Sequence, residues 1–232
     1  MQYNLNDKEF LQCAMMGPNA LKIAQELTCE LNITEKMRVL DLGCGTGLTS
    51  LFLATKYGCT VFAADFWNHP SETYERIQQF GLEDRIVPLR ADGNDLPFAH
   101  GYFDLIVSVD AYHYFGTDEH FLDEKIAPFV KKGGLIAISI PGIKEEFTDG
   151  IPDPMAPYIE PNFNFHSCAW WKKLWGHAQW VDVVSCREMD CFEEAWNDWL
   201  ACENPYAIED RDMLRADAGR YMNLVAIVAR VR

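Results

Sequence analysis

The stretch VLDLGCGTG, residues 39–47, is a short apolar run that leads directly into three alternate glycines. Gly43, Gly45 and Gly47 let the main chain approach a ligand closely, and the carboxyl edge of a parallel sheet is where such loops hold nucleotides. The spacing is GxGxG rather than GxGxxG, and Asp41 lies two residues before the first glycine. A dinucleotide would lay its pyrophosphate against this turn. At ~6 Å and an effective dielectric of ~20, two like unit charges repel by roughly 3 kcal/mol. The sign of Asp41 therefore favours a ligand that is positive near the loop.

On either side of the loop the chain alternates between helical and strand periods. Leu21, Ala24, Leu27 and Leu31 share one face of a helix over 19–31. Strands are predicted at 37–42, 61–64, 85–91, 102–109 and 135–140, with Pro88 marking an edge strand and Pro141 halting the last. Helices are predicted at 48–57, 70–80 and 117–130, the third capped by Thr117. Uniformly apolar strands between helices imply a parallel sheet covered on both faces. The expected fold is α/β, a doubly wound Rossmann-like sheet in a three-layer αβα sandwich.

Residues 141–166 hold five prolines and show no sustained period. Ser167 caps a helix through Trp175, a strand follows over 180–187, residues 191–202 are helical and 203–220 are mixed. The final strand, 222–231, is expected to run antiparallel. All of 1–232 reads as one domain, with 1–18 as an N-terminal lid and 141–220 as substrate-side loops and helices.

The 232 residues carry 20 Lys+Arg against 35 Asp+Glu, a formal charge of −15, with 49% hydrophobic and 24% charged residues. That is a globular composition. No basic stripe is present to hold a phosphate backbone, so nucleic acid is not an expected partner, and stable association with an anionic membrane is disfavoured. No apolar run approaches the ~20 residues of a membrane span. The start, MQYNLNDKEF, has neither the basic nor the apolar part of a secretory signal, which points to the cytoplasm. A small, cationic molecule is the expected partner. Eight cysteines without a CxxC pair read as packing thiols rather than metal ligands.

With further acids at successive strand ends, the pattern over roughly 15–140 resembles the class I S-adenosylmethionine (SAM)-dependent methyltransferases. The resemblance implies SAM as cofactor, with S-adenosylhomocysteine as product, and the onium charges of SAM agree with the sign of Asp41. It assigns Asp41, Gly43, Cys44, Gly45 and Gly47 to the methionine side. Asp65 corresponds to the acid that holds both ribose hydroxyls, its two oxygens meeting two donors. Phe66 and Trp67 fall beside the adenine. Asp92 matches the acceptor for the adenine amino group, with the Gly93 amide near the ring. Ser108, Val109 and Asp110 fall near the methionine ammonium or the methyl.

Methyl transfer is an in-line displacement that needs mainly alignment, for which effective molarity supplies ~7–11 kcal/mol. A base is required only for a protonated acceptor. His113, in DAYHYF, is the candidate, since an ordinary imidazole with a pKa of ~6.5 suits that task. Tyr112 and Tyr114 flank it; His166 and His177 have no motif around them. Trp171 with Trp175 and Trp196 with Trp199 have the spacing of core-packing helix faces, although a cation–π lining is the alternative. Tyr3 and Met15-Met16-Gly17 are the expected lid residues. The expected function is methylation at nitrogen or oxygen of a small molecule. A non-catalytic SAM-binding module and a C-methyl or cyclopropane-type lipid enzyme remain alternatives. Loop spacing and Asp41 oppose a nicotinamide dehydrogenase. Asn204-Pro205-Tyr206 resembles part of an NPPY box but falls far from the fourth strand and reads as a loop.

Overall fold

The computed structural model describes residues 4–159 and 163–232. Its centre is a seven-stranded sheet in the order β3-β2-β1-β4-β5-β7-β6. The strands are β1 (Arg38–Leu42), β2 (Thr60–Asp65), β3 (Ile86–Arg90), β4 (Phe103–Val109), β5 (Val130–Ile143), β6 (Val181–Glu188) and β7 (Met222–Val231). All neighbours pair in parallel except β7, which is antiparallel to both β5 and β6. Pro88 does sit on the edge strand, opposite Ala63.

Alternate residues of each strand serve opposite layers. Val39, Val61, Leu105 and Val107 pack with Ile23, Leu27, Leu51 and Leu53 of the helices α2 (Ala20–Thr28) and α3 (Leu48–Tyr57). Leu40, Ile106, Ile136, Ile138 and Ile227 face the other way, towards Trp171 and Trp175 of α5 (Cys168–Gly176). The remaining helices are α1 (Lys8–Ala14), α4 (Pro70–Gln79), α6 (Phe192–Leu200) and α7 (Pro205–Asp217). Trp171, Trp175, Trp196 and Trp199 are all buried, as their spacing predicts.

Four expectations need correction. No regular helix spans 117–130; that stretch holds a π-turn at Leu122–Ile126 and a 3-10 turn at Ala127–Phe129, because Pro128 denies the helix an N–H. Pro141 does not halt β5. The β4 ladder ends at Val109↔Ser139, and β5 continues along β7 alone to Ile143. Residues 204–206 are not a loop but the start of α7: the Asn204 side chain accepts from the Tyr206 amide and Pro205 occupies the first turn. Of the cysteines, Cys13 and Cys29 are exposed rather than packed. Among the described residues, no helix is long and apolar enough to cross a membrane.

Candidate active site

The carboxyl ends of β1, β2 and β4 open into a cleft of about 120 Å³. Its wall includes Gly43, Cys44 and Gly45 from the loop after β1, Asp65 and Trp67 from the end of β2, and Asp110 and Tyr114 beyond β4. The loop is tied down from one side. Gly43 N and Cys44 N both donate to Ala64 O, at 2.8 and 3.1 Å. Gly45 N donates to Asp65 Oδ2 at 2.8 Å. The other oxygen, Oδ1, accepts from Trp67 N (2.8 Å) and Asn68 N (2.7 Å). Asp65 thus pins the glycine loop to the turn after β2. Gly43 has a φ of 74°, and a Cβ there would stand 2.3 Å from the Ala111 Cβ. Glycine is required both for the left-handed turn and for the close approach.

The far wall is formed by the stretch between α1 and α2: Ala14, Met15, Met16, Gly17 and Pro18. Thr46 Oγ1 donates to Ala14 O at 2.6 Å, and Asn68 Nδ2 reaches the Met16 sulfur at 3.5 Å. Gly17 lies against the Asp110 carboxylate, so closely that a Cβ would be 2.1 Å from Oδ2. Asp110 is a non-glycine residue at φ 56°, a left-handed conformation that Asp tolerates better than most and that clusters at functional sites. Burial, with a smaller contribution from Asp210 of α7, pushes its pKa up to about 7. Trp67 and Tyr114 are exposed and meet edge to face, with ring centroids 5.3 Å apart.

A family model described as a methyltransferase domain matches residues 39–134, from β1 to the register shift within β5. The matched segment is similar to a methyltransferase domain. The methyltransferase GfsG of Streptomyces halstedii is 31% identical over 119 residues, which cover 51% of this chain and 42% of that protein. The erythromycin 3''-O-methyltransferase of Saccharopolyspora erythraea is 29% identical over 202 residues, 81% of this chain and 65% of that one. The chain therefore spans between two fifths and two thirds of the length of these relatives. A solved phosphoethanolamine N-methyltransferase 2 of Haemonchus contortus in complex with SAM shares the fold at a TM-score of 0.77, with 17% identity, covering 99% of this chain and 58% of that one.

Within the matched segment, Gly43, Cys44, Gly45, Asp65, Trp67, Val109 and Asp110 line one cleft. The other candidates do not reach it. Asp41 is fully buried beneath the loop, where it accepts from Ser50 Oγ at 2.6 Å. Gly47 is the buried N-cap of α3. Phe66 points outwards, with the Arg90 guanidinium 5.4 Å over its ring. Asp92 is exposed and accepts from the Asn94 amide, closing a local turn, and Gly93 packs against Phe115. Ser108 is buried and donates to Leu42 O at 2.7 Å, joining β4 to β1.

His113 departs furthest from expectation. The domain presents Tyr114 at the cleft; the imidazole of His113 is 1% exposed, with its centroid 4.0 Å from that of the Tyr114 ring and 5.5 Å from that of Phe165. Its Nδ1 has no hydrogen-bond partner among the described residues, and burial drives its pKa down to about 3. Tyr3 lies outside the described residues. Thr46, Asn68 and Tyr114 are wall residues that the sequence reading did not select. The signal for Asn68 was present, since an Asp followed three residues later by Asn, before a helix, favours a side-chain-closed turn.

Proposed function

We propose that this chain binds SAM along the glycine-lined cleft and moves its methyl group to a nitrogen or oxygen of a small-molecule acceptor. The observation that carries this reading is the convergence of the Gly43–Gly45 loop, Asp65 and Asp110 on one cleft of the segment similar to a methyltransferase domain. These residues fit the cofactor: a cradle that side chains would fill, a carboxylate able to accept from a diol, and a second carboxylate for a cation. When bound, SAM supplies a methyl group already activated by its sulfonium leaving group.

The chain supplies the rest. A carboxylate offers about four lone-pair sites, and among the described residues Asp65 Oδ2 accepts only from Gly45 N, so it retains capacity for hydroxyl donors. Asp110 gains its full charge when a cation docks beside it, since burial, with Asp210 adding to it, holds its pKa near neutrality. Trp67, Tyr114 and Met16 give the mouth an apolar lip that excludes water. The erythromycin methyltransferase relative supports a small-molecule acceptor.

Nitrogen is favoured over oxygen by His113. A hydroxyl acceptor must lose its proton to a base, and an imidazole held to a pKa of about 3 takes none near neutrality. A neutral amine attacks without a base. We place His113 behind Tyr114 as its support, through the ring contact.

The test is calorimetry with SAM, S-adenosylhomocysteine and a nicotinamide dinucleotide, followed by transfer of labelled methyl to panels of amines and alcohols. Binding of the two sulfur compounds and label in an amine are expected. Binding without transfer to either panel would leave a SAM-holding module; heat with the dinucleotide alone would overturn the reading.

A further inference from the structure

At the other end of the sheet from the cleft, the amino ends of β1, β4 and β5 border a second cavity, of about 600 Å³. That volume lies within the ~300–1,000 Å³ of small-molecule sites. The floor belongs to the sheet face that α2 and α3 pack on: Leu105 on β4, Leu135 on β5 and Val228 on β7. The roof is the end of α2 and the turn after it, through Leu27 and Leu31. Alternation along β7 puts Arg230 on the same face as Val228, directly opposite Leu135.

The charges around the rim are unevenly matched. Lys131 is paired with Asp104 and Arg187 with Glu26, and Glu30 stands on the same rim. Arg230 has no such carboxylate. Its Nη1 donates to Gly133 O at 2.9 Å, and Asp182, opposite it on β6, is taken by Arg232 at 2.7 and 3.0 Å. The Nε–Nη2 edge of Arg230, a fork that can meet a carboxylate with two parallel N–H groups, has no partner among the described residues. Lys132, exposed beside Gly133, is in no ion pair among the described residues. In a chain with a formal charge of −15, an apolar floor thus ends at two cations without a carboxylate.

Four cations and three acids line the cavity, and the single net positive charge suits a monoanion better than a phosphate. From Arg230 on β7 the floor crosses β5 and β4 to Met37, just before β1. Those inter-strand spacings amount to about 14 Å, the reach of a medium-length alkyl chain. We propose that this cavity binds a free medium-chain fatty acid. The carboxylate is forked on Arg230 with Lys132 beside it, and the alkyl chain lies over Leu135 and Leu105, beneath Leu27 and Leu31. The site is separate from the glycine-lined cleft and does not depend on methyl transfer.

The experiment is calorimetry of the full chain with decanoate, decanol, decylamine and acetate, each below its micelle concentration where it has one. Decanoate should bind once per chain and at least tenfold more tightly than decanol, with no heat from decylamine or acetate. Arg230→Gln combined with Lys132→Gln should weaken decanoate at least tenfold while leaving decanol and SAM as in the wild type. A decanoate carrying a diazirine at its far end should label the peptide that holds Leu31 and Met37, which locates the tail without any variant. Equal binding of decanol and decanoate, or preference for decylamine, would overturn the proposal, as would label confined to other parts of the chain. So would a dimer in sedimentation that protects this face and persists in saturating decanoate, since the occupant would then be a second copy. Should the double variant fail to fold, the wild-type ligand series and the labelled peptide decide between these outcomes.

Discussion

Asp41 shows how far a single residue's chemistry can be read from its neighbours in sequence. Its place before the glycines was legible; its burial was not. The carboxylate is sealed under the loop with Oδ1 lacking any partner among the described residues, and burial pushes its pKa up to about 7, with Asp65 adding to the effect. The anions that line the cleft are Asp65 and Asp110 instead. Between its ordinary value of 3.8 and about 7, folded Asp41 keeps a proton that the unfolded chain has released. The contribution to stability therefore falls as pH rises through that window, on the order of 1 kcal/mol per pH unit, and is level above it. Asp41→Asn should gain on the wild type from pH 4 to 7 in urea unfolding; a gap independent of pH would show that the acid titrates normally. Asp110 makes a companion prediction about binding. A cation docking beside it should expel its proton, so calorimetry of SAM near pH 6.5, in two buffers of different ionisation enthalpy, should reveal proton release that Asp110→Asn lacks. The burial of His113 was hidden from the sequence for the same reason as that of Asp41. Sequence names the imidazole, but only packing removes its water.

Among the elements, those with local punctuation were legible and those fixed by distant partners were not. Helix α3 begins after the glycine loop and ends at Gly58, both visible in sequence, and Pro88 marks its strand as an edge. By contrast, β5 looks finished at Pro141 because its continuation depends on β7, more than 80 residues later in the chain. Helix α7 has a side-chain cap and a proline in its first turn, yet its apolar stripe is weak and most of its faces are exposed or half-exposed. The extension of β5 carries its own prediction. Gly142 pairs with Asn223, and a Cβ there would lie 2.7 Å from Asn223 Oδ1, His166 O and Val225 Cγ2 alike. Two of those atoms belong to β7 and one to the backbone before α5, so none can yield easily. Gly142→Ala should destabilise by about 1–3 kcal/mol through overpacking, lowering the melting temperature by roughly 2–4 °C per kcal/mol. Differential scanning calorimetry would measure it, and an unchanged midpoint would show that the β5–β7 junction is looser than its geometry.

At the scale of the whole molecule, the cleft is bounded by parts of the chain that lie far apart in sequence. Ala14, Met15 and Leu48 share one buried cluster with Trp196, Trp199 and Ala207, so the N-terminal stretch packs on the C-terminal helices as well as on the glycine loop. The volume enclosed, about 120 Å³, falls below the ~300–1,000 Å³ of small-molecule sites. A ligand of the size of SAM therefore needs the cleft to widen, and the wall at residues 14–18 is expected to be the part that moves. Its polar tethers to the loop and the β2 turn are few, the Thr46–Ala14 hydrogen bond and the Asn68–Met16 contact. The next residue is held differently: Asn19 N donates to Ala195 O at 3.0 Å and Asn19 Nδ2 to Asp198 Oδ2 at 2.7 Å, fastening it to α6. The change from sparse to firm polar anchoring makes Pro18 the expected hinge. Hydrogen exchange should thus be fast over residues 8–18 in the free chain and slow once SAM is bound, with little change at Asn19 and beyond. The observed rate of SAM binding should level off with concentration, as opening of the wall becomes limiting. Deleting residues 1–18 should remove that plateau while weakening affinity at least tenfold, because the wall that restrains release is gone. A rate that stays linear in SAM, with exchange over 8–18 indifferent to the ligand, would mean that this segment is a fixed wall and that the cleft admits its ligand by another route.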